Sequence, residues 1–150
     1  MNAPLHVYLS GKMGNRTGKD VLQERKEAVA LCHDNNIYPV DPASTEFIED
    51  SDKLIDLSMD FVTMKNFVAK DLHSMLMCDV VLVLTGDTPS DGTWWEMGVA
   101  KAEGIPVIMV CPKRVSGGLM GFSNILVDAM FSTVEEAVEF ISNNYELRRD

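Results

Sequence analysis

The sequence is poor in basic residues. Lysine and arginine number 13 against 23 aspartates and glutamates, which gives a formal net charge of −10. A protein that binds duplex nucleic acid needs a basic face to neutralise the phosphates, so this balance argues against that class. A single nucleotide needs only a local basic spot, so the charge does not exclude small nucleotide ligands.

Long apolar runs, paired cysteines and a leader pattern are also missing. No apolar run approaches the length of about 18 residues that a membrane span requires. Cys32, Cys78 and Cys111 lack metal-like spacing and lie in or beside apolar stretches, so we expect buried thiols and no metal site. The amino terminus has no basic region followed by an apolar one, which predicts no signal peptide and a cytoplasmic protein without membrane contact.

The order of apolar and polar segments predicts one α/β domain over residues 1–150. Short apolar runs alternate with helical patterns, and we find no repeat, linker or low-complexity stretch. The expected architecture is a flavodoxin-like three-layer sandwich around a five-stranded parallel sheet of order 2-1-3-4-5, whose ligand crevice lies between strands one and three. The predicted strands are 5–10, 37–40, 79–84, 106–111 and 124–127, and the predicted long helices are 20–35, 61–77 and a last helix ending at Tyr145.

Two helices show an apolar stripe at three-to-four spacing, which predicts their buried faces. In the first helix, the charged residues 24–27 are expected to lie largely away from this face. In the second helix, Asp71 lies beside the stripe. The stripe residues are Leu22, Ala28, Val29 and Cys32 in the first helix, and Phe61, Met64, Val68, Leu72, Met75 and Leu76 in the second.

A glycine-rich loop with three basic residues, 11–19, follows the first strand. Backbone N–H groups of such a loop bind phosphate when a basic side chain such as Lys12 assists. The loop matches neither the P-loop nor the GxGxxG pattern. A mobile polar loop without a ligand is the alternative interpretation.

Segment 90–100 places a carboxylate, Glu96, after the third strand, where the first turn of a helix is expected. The pair Thr93 and Glu96 fits a capping box, in which the glutamate only satisfies backbone groups of its own helix. The same position suits chemistry, because a helix N-terminus favours an ionised carboxylate. Trp94 and Trp95 cannot face the same way on a helix, so at least one is expected in the core or an interface.

Taken in order, these motifs resemble the nucleoside 2-deoxyribosyltransferase family, including the related 2'-deoxynucleoside 5'-monophosphate N-glycosidases. The resemblance covers about residues 5 to 111. It is carried by four blocks: Val-Tyr-Leu-Ser-Gly at 7–11, Lys-Asp-Leu at 70–72 with Cys-Asp-Val-Val at 78–81, Gly-Thr-x-x-Glu-x-Gly-x-Ala at 92–100, and Gly-x-Pro-Val at 104–107.

The resemblance implies glycosyl transfer through a covalent intermediate, with no cofactor and no metal. Glu96 matches the nucleophile that attacks C1' of the deoxyribose, Asp71 the second carboxylate, and Tyr8 a tyrosine near the nucleophile. A carboxylate suits an oxocarbenium-like transition state, and water or a second base completes the reaction. The expected substrate-binding residues are Ser10, Gly11, Lys12, Ser90, Asp91 and Gly92. Self-association is also implied, because family members complete their sites with a neighbouring subunit.

The sequence departs from the family pattern in several places. Many deoxyribosyltransferases carry an aspartate six residues before the nucleophile, whereas Ser90 stands here and Asp91 follows it. A serine there resembles the monophosphate N-glycosidases, which use it on the 5'-phosphate. The serine and arginine of their first loop fall at Lys12 and Gly14, and Asp150 does not match the terminal aromatic of the transferases. Nucleoside or monophosphate, base or water as acceptor, and a non-catalytic nucleotide-binding module therefore stay open.

Overall fold

We analysed a computed structural model of the protein, which describes residues 3–44, 48–56, 58, 60–85, 90–111 and 123–147. Five parallel strands form one sheet in the order β2-β1-β3-β4-β5, which confirms the predicted order. The strands are β1 (Leu5–Gly11), β2 (Ile37–Val40), β3 (Val80–Leu84), β4 (Val107–Val110) and β5 (Ala129–Phe131). The helices are α1 (Gly18–Asp34), α2 (Phe61–Leu76), α3 (Asp91–Ala102), α4 (Ser123–Leu126) and α5 (Val134–Asn144), with a 3₁₀ turn at Pro42–Ser44.

The prediction of a fifth strand over 124–127 was wrong. That stretch belongs to α4 and the turn after it, and the strand lies at Ala129–Phe131. A run of four apolar or small residues fits a helix turn as well as a short strand, so periodicity alone does not separate the two.

The sheet is central because β3 and β4 are apolar at every position and buried throughout. Continuous apolar runs are typical of parallel strands that are covered on both faces. Residues of α1 and α5 pack on one face of the sheet, and residues of α2 and α3 on the other. Cys32, Cys78 and Cys111 are buried thiols, which confirms that prediction.

The predicted inner face of α1 was partly wrong. The buried residues are Gly18, Val21, Arg25, Ala28 and Cys32, so a charged residue lies in the middle of the stripe. The spacing from Val21 to Arg25 to Ala28 is four and then three, so Arg25 was on the buried face by periodicity. The expectation that the charged residues 24–27 lie largely away from this face was therefore wrong for Arg25, although a buried arginine is rare unless it is paired.

The predicted buried face of α2 was wrong for most of its length. Only Met75 is fully buried among the described residues of this helix. Phe61 is 80% exposed, Val68 40% and Leu76 38%. The stripe exists as an apolar surface on one side of the helix, but no other element among the described residues covers most of it.

The glycine-rich loop after β1 is tied down by a strap, which we define as residues 48–56. The backbone of Asn15, Arg16, Gly18 and Lys19 exchanges hydrogen bonds with residues 51–55. A Cβ on Gly18 would overlap the Glu49 carbonyl oxygen.

The described residues contain no helix that is both long and apolar enough to cross a membrane.

Candidate active site

The topology brings the carboxyl ends of β1 and β3 together, since Gly11 pairs with Leu84 at the last position of both strands. The strand order reverses here: the connection after β1 leads to β2 on one side, and the connection after β3 leads to β4 on the other. These diverging connections open a crevice at this point. A cleft of about 490 Å³ lies there. Its described lining comes from the β1–α1 loop (Gly11, Lys12, Met13, Gly14, Asn15), the strap (Ile48, Ile55, Asp56), α2 (Met64, Phe67, Val68, Asp71) and the start of α3 (Ser90, Gly92, Thr93, Trp95, Glu96).

Glu96 is aimed at β1 and does not cap its own helix. The N-cap of α3 is Ser90, whose hydroxyl accepts a hydrogen bond from the Thr93 N–H at 3.3 Å. Helix α3 begins at Asp91, so Glu96 lies in the second turn, and the expectation that it lies in the first turn was wrong. The Ser10 hydroxyl donates to Glu96 Oε1 at 3.1 Å, so the capping-box interpretation was wrong as well.

The Glu96 carboxyl is buried, and burial raises its pKa above the ordinary value. Hydrogen bonding to the hydroxyls of Tyr8 and Ser10 lowers the pKa, the nearby Asp71 carboxylate raises it, and Arg25 lowers it. The second oxygen, Oε2, is buried without a hydrogen-bond partner among the described residues. One oxygen is therefore held from behind while the other is left unpartnered at the cleft.

Tyr8 and Asp71 both act on the Glu96 carboxyl. Tyr8 is buried on β1 outside the described lining of the cleft, and burial together with the Glu96 carboxylate raises the pKa of its phenol far above the ordinary value. This environment favours the neutral phenol, which can donate a hydrogen bond. Asp71 lines the cleft from α2, and its buried Oδ1 accepts no hydrogen bond from the described residues, although Lys70 Nζ lies 3.5 Å away.

The other residues selected from the sequence fall into three groups. Gly11, Lys12, Ser90 and Gly92 line the cleft. Ser10 lies behind it, buried against Glu96. Asp91 is exposed on the first turn of α3 and lies outside the described lining of the cleft.

A match to a family model shows to which protein family the chain belongs. The nucleoside 2-deoxyribosyltransferase model matches residues 7–130. The chain belongs to the nucleoside 2-deoxyribosyltransferase family. A comparison with curated proteins gives no match.

Several solved structures of other proteins share the fold of this chain. A 2-deoxyribosyltransferase from Bacillus psychrosaccharolyticus has 20% identity and a TM-score of 0.66, with 94% of this chain and 92% of that chain covered. A conserved protein from Enterococcus faecalis V583 has 20% identity and a TM-score of 0.69, covering 95% and 100%. A CMP N-glycosidase from Clostridium botulinum has 13% identity and a TM-score of 0.55, covering 93% and 99%. At these identities the likeness shows the shared fold.

Several cleft residues of this deoxyribosyltransferase family member were missed from the sequence. Ile48, Ile55 and Asp56 reach the cleft because the strap is bonded to the β1–α1 loop, a pairing that no local pattern signals. Trp95 is half exposed at the cleft, while Trp94 packs against the core, which confirms that the two indoles face different ways.

The charge of the described lining is also informative. Lys12 is its only basic residue, against three carboxylates, Asp56, Asp71 and Glu96. The Asp56 carboxylate accepts hydrogen bonds from the backbone and hydroxyl of Ser58, which lower its pKa and keep it ionised. The described residues contain no cluster of His, Cys, Asp or Glu able to hold a metal ion.

Proposed function

We propose that the protein cleaves the N-glycosidic bond of a 2'-deoxynucleoside and transfers the deoxyribose to another base. The observation that carries this proposal is a pair of buried carboxylate oxygens, Glu96 Oε2 and Asp71 Oδ1, that accept no hydrogen bond from the described residues. Asp71 Oδ1 has only the ion-pair contact with Lys70 Nζ at 3.5 Å. Buried polar atoms without hydrogen-bond partners are costly, so a site that keeps two of them is suited to a ligand that supplies donors or accepts attack. A sugar provides both in its hydroxyls and its anomeric carbon.

In the proposed reaction, Glu96 Oε2 attacks C1' as the bond from C1' to the base nitrogen breaks. The bonding electrons leave with the base, which takes up a proton from solvent, and a glycosyl ester of Glu96 remains. A nitrogen of the acceptor base then attacks C1' and gives up its proton to solvent, the ester bond breaks, and the carboxylate is regenerated. Two inversions restore the configuration at C1'.

The surrounding residues are suited to this sequence of steps. The hydroxyls of Ser10 and Tyr8 orient the carboxylate and keep a fraction of it ionised despite its burial. Asp71 is the group that we assign to hold a sugar hydroxyl. Its charge also opposes that of Glu96, and this repulsion is relieved once Glu96 becomes a neutral ester.

A neutral nucleoside suits the described lining better than a 5'-monophosphate, because Lys12 faces three carboxylates there. The second candidate is a 2'-deoxynucleoside 5'-monophosphate N-glycosidase, in which water replaces the acceptor base. It is supported by Lys12 and Ser90 lining the same cleft. The Ser90 hydroxyl already bonds to Thr93, so a phosphate contact there would compete with the helix cap.

The test is a product assay on a panel of deoxynucleosides and their 5'-monophosphates, each with and without a second free base. Exchange of bases supports the transferase, and release of free deoxyribose or its 5-phosphate supports the N-glycosidase. Glu96→Gln is the matched control, since it keeps the size of the side chain and the hydrogen bond from Ser10. Equal turnover in this variant would refute the assignment of the nucleophile.

A nucleotide-binding or sensing module of the same fold makes a different prediction. It would be stabilised against heat by a nucleoside or nucleotide without any turnover, and Glu96→Gln would leave this stabilisation unchanged. Turnover that is lost in Glu96→Gln while ligand binding survives would exclude this alternative.

We also propose that the protein forms a homo-oligomer in the cytoplasm, with the exposed stripe of α2 facing a second copy. The stripe runs from Phe61 into Met64 and Val68, which line the cleft, so a partner seated on it would also border the site. Large exposed apolar patches mark such interfaces. Three buried thiols are consistent with a reducing compartment.

A further inference from the structure

The feature that the reaction described above does not use is the buried guanidinium of Arg25. Arg25 on α1 is 2% exposed and is the one buried arginine or lysine among the described residues. A buried charge is costly unless it is paired and hydrogen-bonded, so its presence in the core calls for a reason. Its position under the end of β1 supplies one.

Arg25 forms hydrogen bonds with the end of β1, which β2 does not reach. Strand β2 pairs with β1 only as far as Tyr8, so the last three residues of β1 continue past it. On this side Arg25 Nη1 donates to the Leu9 carbonyl at 2.7 Å, and Nη2 donates to the Gly11 carbonyl at 3.3 Å. The two bonds hold the backbone immediately before and after Ser10, whose hydroxyl donates to Glu96.

The same guanidinium acts on the site through its charge. Arg25 lowers the pKa of both Glu96 and Tyr8, while Asp71 raises both. The same Nη1 also donates to Asp41 Oδ1 at 3.4 Å, in the residue after β2. Among the described residues, the charged or titratable groups that act on Glu96 are therefore Tyr8 from β1, Asp71 from α2 and Arg25 from α1, and Asp41 is paired with Arg25.

Gly11 leaves room for Arg25 to approach the end of β1, because it has no side chain. A Cβ at this position would lie 2.5 Å from the Leu84 carbonyl oxygen and 3.2 Å from Arg25 Nη2. Only a residue without a side chain lets the guanidinium and the β3 backbone approach the end of β1 together. Arg25, Gly11 and Ser10 thus form one fitted unit beneath the cleft.

We propose that Arg25 is a positioning residue for the glycosyl transfer, which holds Ser10 from behind and keeps the nucleophile Glu96 ready for attack. This inference rests on the proposed function for its kinetic consequence. Its structural and electrostatic part concerns only residues of the resting protein. The experiment has one readout for each part.

The first readout needs no turnover. The titration of the Glu96 carboxyl is followed by carbon NMR, with Glu96→Gln identifying its signal. In Arg25→Met we expect this titration to move to higher pH, because a positive charge is lost. In Asp41→Asn we expect a smaller move downward, and in Arg25→Lys a value near that of the unmodified protein. An unmoved titration in Asp41→Asn would overturn the proposal even if Arg25→Met does not fold.

The second readout is the steady-state rate. In Arg25→Met we expect kcat to fall about tenfold or more with KM little changed, because misplacing the nucleophile acts on the chemical step. In Arg25→Lys, part of kcat should return. A normal kcat in a folded Arg25→Met protein would overturn the positioning role. Absence of turnover in the unmodified protein would refute the proposed function, and the NMR titration would still decide the electrostatic part.

Discussion

The two walls of the cleft are built in opposite ways. We define the bonded wall as Glu96, which lines the cleft, together with Tyr8, Ser10 and Arg25, which lie outside the described lining. These residues are buried or largely buried and joined by hydrogen bonds or charge. The open wall is the cleft-facing part of α2, formed by Met64, Phe67, Val68 and Asp71, where side chains are half exposed and Asp71 Oδ1 lacks a hydrogen-bond partner among the described residues.

The two walls suit different tasks in the proposed reaction. The bonded wall holds the proposed nucleophile in place, and the open wall is available to contact substrate or a second copy. A nucleophile gains from being fixed before the substrate arrives, because its reorganisation then does not add to the barrier. A wall that contacts substrate or a second copy gains from leaving its groups unpaired until that contact forms. The comparison therefore predicts that changes in the bonded wall alter both stability and rate, whereas changes in the open wall alter rate or assembly alone.

The largest expected effect is that of Glu96→Gln. We expect turnover to fall at least ~1,000-fold, since an amide does not form the glycosyl ester. The melting temperature should rise, because burial makes the ionised carboxylate unfavourable to the folded state and the amide removes that cost. Kinetics and calorimetry on the same samples check both. A fall in stability would show that the carboxylate holds the fold together.

Asp71→Asn and Ser10→Ala compare the two walls directly. We expect each to lower kcat/KM by about 10- to 100-fold, of the order seen when one positioned polar group at a reacting centre is lost. Ser10→Ala should also lower the free energy of unfolding by about 1 kcal/mol, because a buried hydrogen bond to Glu96 disappears. Asp71→Asn should leave it unchanged. Equal losses of stability would erase the distinction between the walls.

The pH dependence follows from the raised pKa of Glu96. The nucleophile must be ionised, so kcat/KM should fall as the pH drops through a pKa above the ordinary value for glutamate, about tenfold for each further pH unit. The folded state binds this proton more tightly than the unfolded state. Relative to Glu96→Gln, the protein therefore gains stability as the pH falls from the raised pKa toward the ordinary one. If kcat/KM instead began to fall only at the ordinary pKa of glutamate, the burial of the carboxyl would be contradicted.

Replacing Gly11 or Gly98 by alanine tests the packing beside the bonded wall, since Gly11 is crowded and Gly98 on α3 is not. Gly11→Ala should lower the free energy of unfolding by about 1–3 kcal/mol, because the new methyl group meets the Leu84 carbonyl. Gly98→Ala should raise it by about 0.5–1 kcal/mol, since nothing lies within 4 Å and the position is helical. Denaturant unfolding measures both. A tolerated Gly11→Ala would mean that the end of β1 is free to move.

The smallest effect on stability is expected from Phe61→Lys on the exposed stripe of α2. This side chain is 80% exposed, so its replacement should change the free energy of unfolding by less than about 0.5 kcal/mol. The size of the assembly in analytical ultracentrifugation should fall. Ile125→Lys, at a 64% exposed position on α4, is the control that should leave the assembly intact. An unchanged assembly in Phe61→Lys would place the interface elsewhere.

Sequence reasoning succeeded where the signal was local and repeated. The apolar runs of β3 and β4 mark a covered parallel sheet. Strand β2 contains a proline and lies at the edge of the sheet, where proline is tolerated. Sequence reasoning failed for α2, since spacing shows which residues share a face but not whether another element covers that face. It failed for Arg25, since its partners are carbonyls sixteen and fourteen residues away in the chain.

By itself, the sequence determined the order of the five strands in the sheet, the family blocks, and therefore the edge of the sheet at which the candidate site lies. Only the tertiary structure decided that Glu96 turns toward Ser10 and away from its own helix cap, that Arg25 supports the end of β1, and that the strap completes the cleft. The physical reason is the distance along the chain over which each effect acts. Backbone preference and periodicity act over a few residues, whereas the burial and pairing of a single charge depend on which distant segments close around it.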